Sequence, residues 1–205
     1  MYNEDVEPVP PQDTGKKTDI EAHVEATDPG EAHRIFVEAK RRLLDINHWS
    51  DISSGISASF ALTDCRGMIK KCSPEVGDYL RIDIPGPGTA AGDGFDWVRI
   101  EMIEEEPDYL GTREFIVMRV RPAPQPEQKK PTAHFFEEDA TSSFIVRRED
   151  RRIAAEVHGR NEKPNTGNAS LTDAIRNTVV SMVAQAGFSK IQWEKLVKGI
   201  LNIQP

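Results

Sequence analysis

DYLRIDI, residues 78–84, opens the stretch of sequence that decides the fold, and FDWVRIEMIE (residues 95–104) and REFIVMRVR (residues 113–121) follow it. In each segment apolar and polar side chains alternate, which is the pattern of a β-strand that buries one face. Two more alternating segments, Ser143–Arg148 and Arg152–His158, complete the set. Because short turns connect several of these segments, the stretch Gly77–Asn161 predicts an antiparallel sheet with hairpin connections.

Weaker strand patterns extend this sheet on both sides. They lie at Asp19–Ala26, Ile56–Thr63, Arg66–Lys71 and Thr132–Phe136. With some of them included, the pattern predicts a curved antiparallel sheet of about six to seven strands.

A helix is predicted between the first strand and the rest of the sheet. Asp28 is a good N-cap, Pro29 fits the first helical position and Glu31 completes the start signal. Apolar residues then recur at helical spacing, which makes one stripe of an amphipathic helix. The stripe consists of Ala32, Phe36, Ala39, Leu43 and Ile46. Trp49 follows this helix and is expected to pack on the core.

Two further amphipathic helices are predicted after the sheet. The first, Leu171–Gln185, carries apolar residues that include Val179 and Met182, and it stops before Gly187, a typical C-cap residue. The second, Ser189–Leu201, carries Trp193, Leu196, Val197 and Ile200.

Length and composition favour one domain with a tail. Residues 1–17, which contain three prolines among charged residues, are predicted to be a disordered tail, and residues 18–205 a single α+β domain. No apolar run reaches the roughly 18 residues that span a bilayer. The acidic N-terminus has no basic flank or apolar core of a signal peptide, so a cytoplasmic location is expected. Cys65 and Cys72 are predicted to be ordinary thiols.

The net charge of −8 is unevenly distributed along the chain. Residues 1–146 carry 16 basic and 28 acidic side chains, whereas residues 147–205 carry 10 and 6. An acidic chain repels the phosphate backbone, so no nucleic-acid partner is expected. The basic end is the part to which an anionic partner would bind.

Few residues suggest chemistry. The loop 85–94 contains four glycines but lacks the Lys-Ser/Thr of a Walker loop, and a strand follows it, so no cofactor is predicted. His134 lies close to Glu137, Glu138 and Asp139, which could bind a divalent cation, although runs of charge are usually solvated. We therefore predict no metal site and no catalytic residue. An enzyme, such as a cyclase or hydrolase using His134 or His158, is left open but is not favoured.

The order of elements resembles the helix-grip arrangement of the START-like superfamily, which includes polyketide cyclases and carriers of hydrophobic ligands. The residues that carry this resemblance are Ile20–Val24, Asp28-Pro29, the stripe from Phe36 to Ile46, Trp49, the strands up to His158 and the helix from Leu171. The resemblance implies a curved sheet that grips the C-terminal helix and leaves an apolar cavity between them. A closed antiparallel barrel with attached helices is the alternative fold.

The leading hypothesis is a non-catalytic protein that holds a small hydrophobic ligand between one sheet face and the helix Leu171–Gln185. If the face of His158 and Glu156 is concave, that pair could orient the ligand; otherwise it is a surface pair. The residues expected to bind the ligand are Leu80, Ile82, Val98, Ile100, Met102, Ile116, Met118, His158, Val179 and Met182. The alternative is a protein-interaction or assembly subunit with a filled core, which would meet a partner or a second copy through residues 189–205.

Overall fold

A computed structural model describes residues 7–53, 58–83, 95–107, 111–127, 136–163 and 190–203. The strands in these ranges are β1 (Lys16–Glu25), β2 (Ser59–Thr63), β3 (Tyr79–Asp83), β4 (Asp96–Glu106), β5 (Arg113–Pro122), β6 (Thr141–Glu149) and β7 (Arg152–Glu162). The helices are α1 (Pro29–Leu44), a 3-10 turn (Ile46–His48), α2 (Trp49–Ile52) and the helical residues 190–200, here α3. Among the described residues, no helix combines the length and the apolar composition that a membrane span requires.

The seven strands form one antiparallel sheet in the order β1-β7-β6-β5-β4-β3-β2. Strands β2 to β7 therefore follow one another as a meander, and β1 returns to pair with β7 in the register Asp19↔His158. The predicted α+β class, an antiparallel sheet packed against a C-terminal helix, is confirmed. β1 begins at Lys16, two residues before the predicted start of the domain at residue 18; the division into a tail and one domain stays a prediction.

The predicted start of α1 is confirmed in detail. The Asp28 carboxylate accepts a hydrogen bond from the backbone N–H of Glu31 at 2.9 Å, and Glu31 accepts one from the backbone N–H of Thr27 at 2.7 Å. The backbone N–H of Glu31, which the first helical turn leaves unpaired, is thereby satisfied, and so is that of Thr27 just before the N-cap. The buried side chains of α1 are those of the predicted stripe, Ala32, Phe36, Ala39 and Leu43.

Trp49 shows how strongly the sheet curves. Its ring centroid lies 5.3 Å from that of Phe60 on β2 and 5.0 Å from that of Phe144 on β6. In a flat sheet these strands, four steps apart, would be separated by about 19 Å, because neighbouring strands lie about 4.8 Å apart. A single indole can contact both phenyl rings only because the sheet bends around it. The expectation that Trp49 packs on the core is confirmed, since it is fully buried.

Helix α3 completes the core on the concave side of the sheet. Leu196, Val197 and Ile200 are buried among the core residues, and Trp193 packs against Phe60 and Phe144 with centroid distances of 6.0 and 5.4 Å. The apolar stripe predicted for this helix is therefore used inside the molecule and is not available to a partner. The other predicted helix, Leu171–Gln185, lies outside the described residues, as do residues 56 and 57 and residues 132–135 of two predicted strands.

The prediction of a strand at Arg66–Lys71 is wrong. Only one isolated bridge, Thr63↔Ile69, forms there within the described residues. The Asp64 carboxylate accepts hydrogen bonds from the backbone N–H groups of Arg66 and Met68, both at 2.9 Å, and Gly67 adopts a φ of +78°. The local side-chain bonds and the left-handed glycine close a turn that an extended strand cannot accommodate.

Candidate functional site

The concave side of the sheet, here the inner face, carries most of the predicted ligand-binding residues. It is the face that packs against α1, Trp49 and α3. Leu80, Ile100, Ile116 and Met118 are buried on it, and Ile82 and Val98 are only partly buried. Six of the ten predicted residues thus share one apolar surface. Whether they touch a ligand stays a prediction.

Met102 does not belong to the inner face, contrary to the strand alternation. The β4–β5 register shifts between Ile100 and Met102, so that Ile100 pairs with Val120 but Met102 pairs with Arg119. This irregularity is a β-bulge, which re-aims every later side chain of the strand. Ile103 takes the inner position, whereas Met102 lies on the outer face, where its sulfur accepts a hydrogen bond from Arg119 at 3.2 Å.

Asp96 is an inner-face residue of β4 that was not among the predicted site residues. It alternates with Val98 and Ile100 along β4, and its cross-strand partner on β3 is Ile82. Its Oδ1 atom is shielded from solvent and has no hydrogen-bond partner in the described structure. The sequence did carry a signal for this site, because Asp96 is an acidic residue in alternation with the apolar pair Val98 and Ile100. A search for alternating apolar residues does not detect it.

Burial raises the pKa of Asp96 from its ordinary value of 3.8 to about 7. Removal from water disfavours the charged carboxylate, and burial is the only cause of the shift. A carboxyl group that is about half ionised near neutral pH can donate or accept a hydrogen bond, and it can exchange a proton with a bound molecule. Among the described residues, Asp96 is therefore an inner-face group that could donate a hydrogen bond, accept one or exchange a proton with a ligand.

His158 lies on the outer face and not in the predicted pocket. Its Nδ1 is 2.7 Å from Asp19 and its Nε2 is 2.7 Å from Glu156. Arg160 contacts Asp19 at 2.7 Å, and Arg147 approaches Glu156 with its Nε at 2.6 Å. Both ring nitrogens of His158 are therefore engaged by carboxylates of the sheet. His158 is therefore part of a polar network on the face opposite the other predicted ligand-binding residues, and its predicted contact with a ligand has no support in its position.

The two carboxylates control the protonation of His158. Burial alone would lower the pKa of its imidazole, but the hydrogen bonds and charges of Glu156 and Asp19 outweigh burial and raise that pKa above 6.5. Burial would raise the pKa of Asp19, but the hydrogen bonds and charges of His158 and Arg160 outweigh burial and lower that pKa to about 2. The network is thus a chain of alternating charges, which is an arrangement suited to holding β1 against β7.

The remaining predicted site residues cannot be placed. Val179, Met182 and His134 lie outside the described residues, as does the glycine-rich loop 85–94. Within the described part of the chain, no group of three or more His, Cys, Asp or Glu side chains could hold a metal ion. Cys65 and Cys72 are exposed free thiols.

Known proteins resemble this chain in structure and not in sequence. No protein-family model matches the sequence, and no curated protein matches it. Solved structures with a similar fold do exist. The protein TTHA0849 from Thermus thermophilus is 11% identical with a TM-score of 0.43, and the match covers 91% of this chain and 95% of that one.

Two other structures extend the comparison. Truncated norcoclaurine synthase from Thalictrum flavum is 11% identical with a TM-score of 0.40, over 95% of this chain and 99% of that one. The Aha1 dimer from Colwellia psychrerythraea is 10% identical with a TM-score of 0.38, over 89% and 98%. At these identities and TM-scores the likeness says nothing of the ligand or activity of this chain.

Proposed function

We propose that this protein binds a small hydrophobic ligand between the inner face of the sheet and the C-terminal helical region. The observation that supports the proposal is the contrast along the inner face. Leu80, Ile100 and Met118 are fully buried, whereas Ile82 and Val98 are only partly buried. They lie beside Asp96, whose Oδ1 atom has no hydrogen-bond partner in the described structure. A mostly apolar surface with one well-placed polar group is typical of small-molecule sites.

The aromatic cluster of Trp49, Phe60, Phe144 and Trp193 limits where such a ligand would lie. Trp193 of α3 contacts Phe60 and Phe144, and Trp49 contacts the same two rings, so the four rings pack together between α3 and the sheet. The ligand would therefore occupy the surface of Ile82 and Val98, next to the cluster, and contact the other predicted residues, Leu80, Ile100, Ile116 and Met118, only at their edges. Val179 and Met182 remain part of the proposal as the helical side of the site.

The proposal predicts that filling the inner face blocks ligand binding. We expect purified protein to bind the hydrophobic dye 8-anilinonaphthalene-1-sulfonate saturably, and Val98→Trp to weaken that binding at least about tenfold, because the indole occupies the space of the dye. Fluorescence titration measures the affinity, and native mass spectrometry checks for a ligand carried through purification.

Val76→Trp is the matched control. Val76 is 59% exposed, so the same enlargement there should leave dye affinity unchanged. Circular dichroism confirms that both variants are folded. Absence of saturable dye binding to the unaltered protein, together with absence of any co-purified small molecule, would contradict the proposal.

A protein-interaction or assembly subunit is the second candidate, and the filled aromatic cluster favours it. The apolar stripe of α3 faces inward, so an interface through residues 189–205 would have to use exposed side chains such as Ile191, which is 55% exposed. Light scattering across a range of protein concentrations distinguishes the two candidates. A monomer at high concentration that binds the dye supports the carrier, whereas a stable oligomer without dye binding supports the assembly subunit.

A further inference from the structure

Asp96, which is partly buried, differs from the acidic side chains that the sheet buries fully. Glu114 is held by Arg148 at 2.7 Å, and Glu156 is held by Arg147 at 2.6 Å. Asp96 Oδ1 has no hydrogen-bond partner in the described structure, although it too is closed off from solvent. A carboxyl oxygen in this condition costs free energy in the absence of a donor, so the position calls for an explanation.

The surroundings of Asp96 are apolar on the side that it faces. Ile82 lies opposite it on β3, and Phe60 lies opposite Ile82 on β2. Two strand spacings place the backbones of Asp96 and Phe60 about 10 Å apart. The charged side chains nearest along the strands, Arg81 and Asp83 on β3 and Arg99 on β4, alternate to the outer face. Among the described residues of β3 and β4, no cation therefore lies on the inner face with Asp96.

We propose that Asp96 accepts a hydrogen bond from the polar end of an amphipathic small ligand, a hydroxyl or an ammonium group, whose apolar part lies on Ile82 and Val98. This inference rests on the proposed function, since it assigns the polar anchor of the same site. The geometry supplies both halves of the recognition: an unpartnered oxygen on the inner face, and partly buried aliphatic side chains beside it.

The ionisation of Asp96 supports the assignment. Burial holds its pKa at about 7, so the anion is present at neutral pH without the full cost of a permanently buried charge. An ammonium ligand prefers the ionised form. Its affinity should therefore rise as pH increases through about 7, while a ligand without a donor should show no such dependence.

Three probes with one ring system test the inference. They are 1-naphthylmethylamine, 1-naphthalenemethanol and 1-methylnaphthalene, which present an ammonium, a hydroxyl and no donor. We expect the protein to bind the amine or the alcohol about tenfold or more tightly than the methyl compound, because a hydrogen bond to a charged group is among the stronger ones. Equilibrium dialysis at pH 6 and pH 8 gives the affinities.

Asp96→Asn is the decisive variant, and Asp83→Asn on the outer face is its matched control. Asp96→Asn should remove the pH dependence of amine binding and reduce the preference over the methyl compound to about threefold or less, since an amide is a weaker acceptor than a carboxylate. Asp83→Asn should behave as the unaltered protein. Thermal melting verifies that both variants are folded.

The outcomes separate this inference from the proposed function. Equal binding of all three probes, unchanged in Asp96→Asn, overturns the role of Asp96 and leaves the hydrophobic site standing. Failure of all three probes to bind overturns both. A preference for the amine over the alcohol identifies the ammonium as the favoured donor, and the reverse identifies the hydroxyl.

Discussion

Asp96 and Glu114 occupy inner-face positions on β4 and β5, and of the two Glu114 is the one with a described cation beside it. Arg148 and Glu114 are both almost fully buried, and His33 from α1 places its Nδ1 2.9 Å from the same carboxylate. Glu114 is thus held by two basic side chains, and removing one of them would break a buried polar pairing at a cost in stability. The Oδ1 atom of Asp96 has no such contact in the described structure, so it is open to a donor from a bound molecule.

At the same scale, His158 predicts a measurable effect of pH on stability. Its pKa is raised above 6.5 in the folded protein, so the folded state holds the proton more tightly than the unfolded chain does. The resulting stabilisation is fully present below about pH 6.5 and is lost as pH rises through the folded pKa. Urea unfolding at several pH values measures the free energy of unfolding. The difference in this free energy between the unaltered protein and His158→Gln should shrink as the pH rises above about 6.5.

His23 offers a control for this experiment. It lies on the same outer face of β1 but is about half exposed, and its nearest carboxylate, Glu21, is 3.7 Å away. His23→Gln should leave the pH profile of the free energy of unfolding nearly unchanged. A constant difference between His158→Gln and the unaltered protein at all pH values would mean that the carboxylates do not stabilise the imidazolium.

Among the elements, α3 has an apolar stripe that the sequence predicts. Its position against the sheet does not follow from the sequence. Trp193, Leu196, Val197 and Ile200 recur at helical spacing, which indicates an amphipathic helix whether its apolar side meets a partner or its own sheet. In the structure it meets Phe60 and Phe144. Gly199 shows how close the approach is, because an added Cβ there would lie 2.1 Å from the carbonyl oxygen of Ile52.

Truncating the two sides of α3 should have unequal effects. Leu196 is fully buried and Ile191 is 55% exposed. Leu196→Ala should lower the free energy of unfolding by about 2–5 kcal/mol through lost burial and the cavity left behind, whereas Ile191→Ala should change it by less than about 0.5 kcal/mol. Equilibrium urea denaturation measures both. If Ile191→Ala were the more damaging, the inward face of α3 would be misassigned.

The elements that the sequence predicts well are those with strong local signals. The cap at Asp28 with Pro29 and Glu31 places the start of α1 correctly, and the alternation in REFIVMRVR places β5 to within one residue. Alternation could not reveal the bulge after Ile100, because a single extra residue shifts the face of Met102 without changing the apolar pattern. It also could not reveal the turn at Asp64, where side-chain bonds to the backbone override strand propensity.

The candidate site was predictable only in part, for a related reason. Its apolar residues follow from strand alternation, but the faces on which His158 and Met102 lie depend on which side of the sheet the helices cover and on the bulge. Neither is encoded in local spacing. Asp96 carried a weak signal, since one acidic residue before Val98 and Ile100 is as consistent with a frayed strand end as with an inward carboxyl group.

For the molecule as a whole, the segment before β1 is tied to the end of β7. Asn161 accepts hydrogen bonds through its Oδ1 from the backbone N–H groups of Asp13 and Thr14, at 2.9 and 3.0 Å. Nearer the N-terminus, the carbonyl oxygen of Glu7 accepts a hydrogen bond from Arg119 of β5 at 3.4 Å. The segment 7–15 therefore runs over the outer face and joins strands that are distant in the chain.

Asn161→Gly should release this segment selectively. Asn161 has a φ of +56°, which glycine adopts without strain, so the variant removes the side chain while keeping the backbone. Hydrogen-exchange mass spectrometry should show faster exchange in residues 7–15, by a factor that corresponds to about 1–2 kcal/mol for two hydrogen bonds. Asn202→Gly, at another φ of +56°, is the control. Unchanged exchange in residues 7–15 would show that Asn161 does not hold them.

The contact of Trp49 with both Phe60 and Phe144 has a consequence for the order of folding. Trp193 joins these rings from a distant part of the chain, and β1 pairs with β7 through residues such as Asp19 and His158, 139 positions apart. Contacts of such long range are costly in loop-closure entropy and form slowly. During synthesis, Phe60 and Phe144 cannot contact the indole of Trp193 until Trp193 has been made. The nascent chain would therefore expose an aromatic surface of the kind that chaperones bind.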